Sequence, residues 1–585
     1  MSAEQNRTGN DKETNSDDRS DTDVSSKRRQ VLGGIGAAGL ASVFGLGSAG
    51  VATADGGAGD KKMMDETDRL NDAYETRTEL AQKLRRKGMP SMDEHDTLDE
   101  EETMATKVAM FTKGLPHADD GTPSEDAYEH LKEALETGDP ELFDTIPQGG
   151  HREFIEPQGA YSVELMGPDP HSLLIEEAPP AFNSDEQVGE MVELYWQSLA
   201  RDIPYQEYES SELMQAAADD LSDASGYNGP TDPKYLFHAD IPGVENGPYL
   251  SQFLWQDAPL SVHEISQDIV TLEPEVDYVT DYDEWLANVR GETPGPEDES
   301  GHHDGDSLTD DRKYMSTGRD LAACVERDMV FQPYMIAVMV LMGRPVDGVV
   351  SNPEELFGDY HPYTDSDTQV GFLDFGREGI MDLVSGIGQP AHVTAWAQKW
   401  LVHRRARPEE YGGLVEAAAN DEIDADHDIP LDKFEEYEVF DRLQEENGSC
   451  VLTQAYPEGA PLHPAYPGGH STVAGACVTV LKALFNEDYV IPDPVQASPD
   501  GESLEAYEGE DLTIGDELNK LASNVNFGGR QFAGVHYRSD HDAGLKLGEK
   551  LAIQYLEDAK MRFHDQLEFD GWTFTNFDGE TVKID

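Results

Sequence analysis

The sequence predicts a mainly α protein, and three observations carry that prediction. Apolar residues recur at three- and four-residue spacing in five segments, no sustained Val/Ile alternation occurs, and stretches rich in acid, glycine and proline interrupt the helical patterns. Residues 1–54 read as a targeting segment rather than as fold. A polar leader reaches Lys27-Arg28-Arg29-Gln30-Val31-Leu32, residues 30–54 carry no charge, and Ala52-Thr53-Ala54 precedes Asp55. Twin arginines, a weakly apolar stretch and a small-x-small site fit a Tat export signal and an extracellular or cell-surface destination. The uncharged stretch is also long enough to span a bilayer, so an uncleaved anchor is the alternative.

Residues 55–186 read as a peripheral acidic region of helices and loops, and residues 187–560 as the catalytic region. Within the latter, helices are expected at Gln187–Leu199, Leu321–Met342, Ile380–Val402, Thr472–Leu484 and Leu545–Leu556. Between Thr271 and Arg312 the chain is rich in acid, glycine and proline, as a surface insertion would be. The tail, residues 561–585, ends in Trp-Thr-Phe-Thr-Asn-Phe alternation that predicts a small hairpin.

Charge narrows the function. Across 585 residues, 119 Asp and Glu against 42 Lys and Arg give a net charge of -77. Such a field repels nucleic acid and anionic membranes and destabilises the compact state at low salt. Molar salt, with a Debye length of roughly 3 Å at 1 M, relieves that repulsion, so the acidity reads as that of an extreme halophile. Three cysteines, Cys324, Cys450 and Cys477, allow at most one intrachain disulfide; Cys324 and Cys477 lie in apolar helical runs and read as buried thiols.

Three clusters carry the chemistry. Lys399 sits near the end of a predicted helix, with Arg407-Pro408 just beyond; proline pushes the preceding residue out of the α region and aims Arg407 into a loop-lined space. A basic turn formed by His403, Arg404, Arg405 and Arg407 is the plainer alternative. In the second cluster, His463-Pro-Ala-Tyr-Pro-Gly-Gly-His470, the glycines let backbone N–H groups at a helix start approach an anion, with His470 at the rim. The third runs from Arg530 to His536 and Asp540. Asp540, one helical turn beyond His536, can accept from Nδ1 and leave Nε2 unprotonated. Three cations around one small site require an anion between them, so the set predicts an oxyanion pocket with an acid-base histidine.

The ordered elements Lys-x7-Arg-Pro, Pro-x-Gly-His and Arg-x5-His-x3-Asp resemble the signature shared by vanadium-dependent haloperoxidases and the type 2 phosphatidic acid phosphatase superfamily. Leu194-Tyr-Trp-Gln-Ser-Leu-Ala-Arg-Asp-Ile-Pro204, Gly247-Pro-Tyr-Leu-Ser-Gln-Phe-Leu254, Gly318-Arg-Asp-Leu-Ala322 and Gln332-Pro-Tyr334 resemble segments of the algal-type bromoperoxidases. The resemblance covers roughly 187–556. It implies two four-helix bundles with the site at the end of one, a homo-oligomer (dimer or larger), and a vanadate cofactor. It also implies hydrogen peroxide and a halide, bromide first, as substrates, and a small organic acceptor for the hypohalous product.

Carried over by position, His536 is the nitrogen ligand of vanadate, and Lys399, Arg407 and Arg530 hold its equatorial oxygens, with Lys399 polarising the peroxide. Gly469 donates a backbone N–H, His470 is the acid-base residue at the apical oxygen, Asp540 orients His536, and His463 tunes halide oxidation. The resemblance also assigns Gln398 a part in halide preference, and Asp365, Asp367 and Gln369 a calcium site, for which a solvated acidic loop is the alternative. One departure stands out: the family usually has serine where this chain has Gly468. The missing hydroxyl removes a bond to an equatorial oxygen that is worth roughly 1.5–3 kcal/mol unless water or Ser471 replaces it. Two competing functions remain. One is hydrolysis of phosphate monoesters with His536 as nucleophile; the other is a non-catalytic exported oxyanion-binding protein.

Overall fold

In the computed structural model the described residues are parts of 70–79, and 97–584 apart from 163, 165–166, 176, 261, 294–307, 344–352, 358–360, 364–367, 370, 421–422, 424–426, 564–568 and 570. The targeting segment, Asp365 and Asp367 lie outside them. One compact unit comprises Tyr74–Asp585; of the other, Met1–Ala73, only Leu70, Asn71 and Ala73 are described, all helical. No helix among the described residues is long and apolar enough to cross a membrane.

The fold is mainly helical, as expected. Helix α1 (Glu125–Thr137) starts at Ser124, whose side chain accepts from the Ala127 N–H, and α2 (Asp185–Leu199) starts at Ser184, which accepts from Gln187. Glu190 and Glu193 of α2 are buried with its apolar residues, so this helix carries counter-charge into the core. The single helix expected at 321–342 is two helices, α3 (Gly318–Glu326) and α4 (Gln332–Met342). Pro333 starts α4, and the break between them brings Asp328 into the site described below.

Helix α5 (Arg377–Ala397), α6 (Pro408–Ala419), α7 (Gly469–Leu484), α8 (Ile514–Ser523) and α9 (Arg538–Arg562) complete the framework. Apart from His470, α7 is buried on every side, the pattern of a central helix. It packs along α9 and against α5. A Cβ on Gly475 would strike the Leu545 carbonyl, and one on Gly548 would strike that of Thr472, so these glycines permit the close approach. This pair of helices sets His470, at the start of α7, beside the His536 to Asp540 segment that opens α9.

Strands occur only as antiparallel pairs among the described residues. The expected C-terminal hairpin forms from Trp572–Thr575 and Thr581–Ile584, with Trp572 opposite Ile584 and with Trp572 and Phe574 buried. The expected insertion at 271–312 is anchored rather than merely superficial. Ile269–Leu272 pairs with Leu308–Lys313, and the buried Trp285 donates from its indole N–H to the Glu409 carbonyl at 2.9 Å.

Region 55–186 is likewise only partly peripheral. Val108–Leu115 is buried, the Phe111 N–H donates to the Arg404 carbonyl (2.7 Å), and the Ala406 N–H donates to the Ala109 carbonyl (3.1 Å). Phe111, Leu115, Tyr128 and Leu131 form a second core with Trp400 and Leu462, beside the segments that carry Lys399 and His463. All three cysteines are free; Cys450 and Cys477 are buried, whereas Cys324 is partly exposed rather than buried.

Candidate active site

After α5 the backbone widens into a π turn, Gln398–His403, and Arg404 then takes left-handed φ of 46°. Pro408 holds Arg407 extended, at φ -76° and ψ 155°. The cations of this loop therefore point to different places, and the plain basic turn is not what forms. Arg404 pairs with Glu102 at 2.6 Å; Arg405 pairs with Glu190 at 2.7 Å and with Asp540 at 3.0 Å; His403 packs against Tyr466.

Arg407 is fully buried. Its Nε donates to the His463 carbonyl (2.8 Å), Nη1 to the Val535 carbonyl (2.7 Å) and to His536 Nε2 (2.9 Å), and Nη2 to His463 Nδ1 (2.9 Å). Lys399, also fully buried, donates from Nζ to the carbonyls of Pro464 (2.7 Å) and Ala465 (2.6 Å). Among the described residues, neither side chain donates to a carboxylate. Burial first, and then the charge of Arg407, pushes the Lys399 ammonium well below its usual range; burial brings Arg407 down to about 10. The backbone behind Arg407 is fixed by Glu410, whose carboxylate accepts from the N–H groups of Arg407 (2.7 Å), Thr112 (2.9 Å) and Lys113 (2.9 Å).

His536 and Asp540 meet as the spacing requires. Nδ1 of His536 lies 2.8 Å from Asp540 Oδ2, which also accepts from the Tyr537 N–H at 3.0 Å. Asp540 takes the Nδ1 proton as its hydrogen bond, so Nε2 is left as the acceptor of the Arg407 contact. Burial first, and then Arg407 and Lys399, hold His536 well below the usual histidine range, so the neutral ring is the stable form. Burial raises Asp540, and Arg405 opposes that rise.

On the other side of the cavity stand Arg530, His470 and Asp328. Arg530 Nη2 reaches both Asp328 oxygens at 3.1 Å, and His470 Nε2 lies 3.3 Å from Asp328 Oδ1. Burial opposes ionisation of Asp328, but Arg530 and then His470 outweigh it and hold the carboxyl below the usual range. Burial and Arg530 lower His470, and Asp328 pulls it back up. Sequence reasoning missed Asp328 and the Arg405 bond to Asp540. The charged Glu326-Arg327-Asp328 inside an apolar run was the available signal for the first.

The cavity between these sides holds about 740 Å³, lined by His392, Trp396, His463, His470, Arg530 and His536 among others. Lys399 and Arg407 lie behind this wall. Gln398, expected to influence halide choice, faces elsewhere: it is buried, and its amide donates to the Leu173 carbonyl at 3.1 Å. Trp396 faces the cavity instead, its ring 4.7 Å from that of His463. Gly469 opens α7, where the first N–H groups lack intrahelical acceptors, and a Cβ there would press on Trp396 and His392.

With this geometry in place, comparison with known proteins decides the family. A vanadium-dependent bromoperoxidase of Ascophyllum nodosum is 34% identical over 505 residues, spanning 82% of this chain and 86% of that protein. The chain belongs to the vanadium-dependent haloperoxidase family. Within this vanadium-dependent haloperoxidase, residues 388–565 match the profile of the VCPO second helical-bundle domain. The vanadium-dependent bromoperoxidase of Corallina officinalis is 28% identical, with 88% of this chain and 98% of that protein covered. The solved homohexameric second vanadate-dependent bromoperoxidase of A. nodosum superposes with a TM-score of 0.79, at 26% identity over 92% of this chain and 94% of its own.

The residues present fit a compact oxyanion. Two wholly buried cations, Lys399 and Arg407, spend their hydrogen bonds on carbonyls and imidazoles, and Arg407 ends at an unprotonated ring nitrogen. Buried cations of this kind are costly unless an anion meets them.

Proposed function

We propose that this chain is an exported, vanadate-dependent haloperoxidase that uses hydrogen peroxide to oxidise halide, bromide first, in the cavity bounded by His463, His470, Arg530 and His536. The observation that carries this reading is Arg407 Nη1 donating at 2.9 Å to an Nε2 whose partner nitrogen is engaged by Asp540. A proton-free ligand atom and a buried guanidinium thus share one spot. When bound there, vanadate supplies a Lewis acid that activates peroxide without redox change at the metal.

The protein's part is binding, orientation and proton handling. His536 offers its Nε2 lone pair, and Asp540 keeps the proton on Nδ1. Lys399, Arg407 and Arg530 would hold the anion's oxygens, with the N–H of Gly469 beside them. His470, whose Nε2 lies 3.3 Å from Asp328, would exchange a proton with one of those oxygens. Trp396 and His463 form the wall that a halide meets, and a small organic acceptor then reacts with the oxidised halogen. The homohexameric relative supports a homo-oligomer for this chain, residues 1–54 support Tat export, and the net charge of -77 supports a halophilic setting.

A paired assay tests the function. Purified protein at high salt, given vanadate, hydrogen peroxide and bromide, is expected to brominate an organic acceptor, and His536→Ala is expected to remove that activity. Release of phosphate from an aryl ester, lost in the same variant and unaccompanied by bromination, would replace the reading with the phosphatase one. Oxyanion binding without turnover in either assay would leave the non-catalytic one.

A further inference from the structure

Gly468, immediately before α7, has no side chain, and the structure shows what lies where a Cβ would go. A Cβ at this position would run into Ser471 Oγ and would lie 3.0 Å from His541 Nδ1. Ser471 is not a free donor: its hydroxyl bonds the Gly468 carbonyl at 2.9 Å and lies 3.4 Å from the Asp540 carbonyl. His541 is different. It is fully buried, and among the described residues neither of its ring nitrogens has a hydrogen-bond partner.

Its ring packs beside that of His536, at 5.1 Å between centroids, and against Phe527 at 5.2 Å. It also lies within the fields of Arg530 and Lys399, the cations that flank the cavity. A buried imidazole with no partner costs about 1–3 kcal/mol for each polar group left unmet. Nδ1 of this unpartnered ring faces Gly468 at the start of α7.

We infer that His541 is an additional anion-binding residue of this enzyme, its imidazole N–H donating to an equatorial oxygen of the bound oxyanion in place of a side chain at position 468. The inference rests on the oxyanion site proposed above. A neutral ring suffices, since imidazole always carries one N–H. Gly468 and His541 then act as a pair: the small residue admits the ring, and the ring supplies the donor.

Calorimetric titration of orthovanadate into the full chain and into His541→Phe at high salt tests this. Phenylalanine keeps the ring packing against Phe527 and removes both nitrogens. The parent is expected to bind saturably and the variant roughly tenfold more weakly, the loss of one hydrogen bond to a charged group. Without vanadate the variant's thermal midpoint should be no lower than the parent's, because the two unmet nitrogens are gone while the ring packing is kept. Equal affinities would overturn the inference while leaving the oxyanion site standing; a parent that binds no vanadate would overturn both. Should His541→Phe fail to fold, a crystal structure of the parent with vanadate decides. An anion oxygen within about 3.2 Å of a His541 nitrogen supports the role, and one beyond about 4 Å ends it.

Discussion

The two sides of the cavity treat positive charge in opposite ways. On one side Lys399 and Arg407 are wholly buried and meet only carbonyls and imidazole nitrogens; on the other, Arg530 shares the buried carboxylate of Asp328 with His470. The uncompensated side gains most when an anion arrives, because that anion offsets a desolvation cost the fold already bears. The compensated side is close to neutral beforehand and is built to place a proton. Affinity should therefore live mainly at Arg407, Lys399 and His536, and proton transfer at His470 with Asp328.

The largest break in this contrast is His536→Ala or Arg407→Ala, each removing one half of the Nε2 contact. Each is expected to weaken vanadate binding at least a hundredfold, measured calorimetrically, and to abolish bromination. A loss of only a few-fold would show that the uncompensated side does not dominate. Next comes Asp540→Asn, which keeps the size of the side chain but weakens its hold on the Nδ1 proton. Affinity should fall about 10–100-fold, since partners that orient a ligand histidine carry that much.

Asp328→Asn should act differently. Asp328 raises the His470 pKa against burial and Arg530, so its loss moves that pKa down. The limb of the pH–rate profile set by His470 should shift to lower pH, with little loss of vanadate affinity. A large loss of affinity with an unmoved profile would reverse the roles given to the two sides.

The smallest effect lies at the outer end of the Arg407 loop, where Arg404 grips Glu102. Burial opposes ionisation of Glu102, but Arg404, Lys132 and Tyr128 bring it down to about 2 from 4.5. A depressed carboxylate pKa stabilises the fold above the unfolded value and ceases to do so as pH falls through the folded one. Glu102→Gln should thus cost about 1–2 kcal/mol near neutral pH, discounted for partial solvation, with the difference vanishing towards pH 2. Urea unfolding across that range measures it.

How much of this could be read beforehand follows from how local each feature is. The bond from His536 to Asp540 lies within one helical turn, the extension of Arg407 comes from the adjacent Pro408, and Gly469 and His470 open a helix whose apolar run is unmistakable. Sequence spacing suffices for such features. Asp328 escaped because a break in a helix, at residues 327–331, brings it to Arg530 some two hundred positions away. The burial of 108–115 escaped because its partners, Arg404, Glu409 and Glu410, lie near 400. Gln398 stands two residues beyond Trp396, roughly 200° round a helix, so its side chain turns to Leu173 while Trp396 faces the cavity.

The central claim is that the buried cations at His536 exist to hold vanadate for peroxide-driven halide oxidation. Its most direct test is bromination activity followed as orthovanadate is titrated into protein previously stripped of oxyanions, at high salt with excess hydrogen peroxide and bromide. The account predicts activity that rises to saturation at one vanadate per chain and is suppressed competitively by phosphate. Activity that ignores vanadate, or none at saturating vanadate, would contradict it.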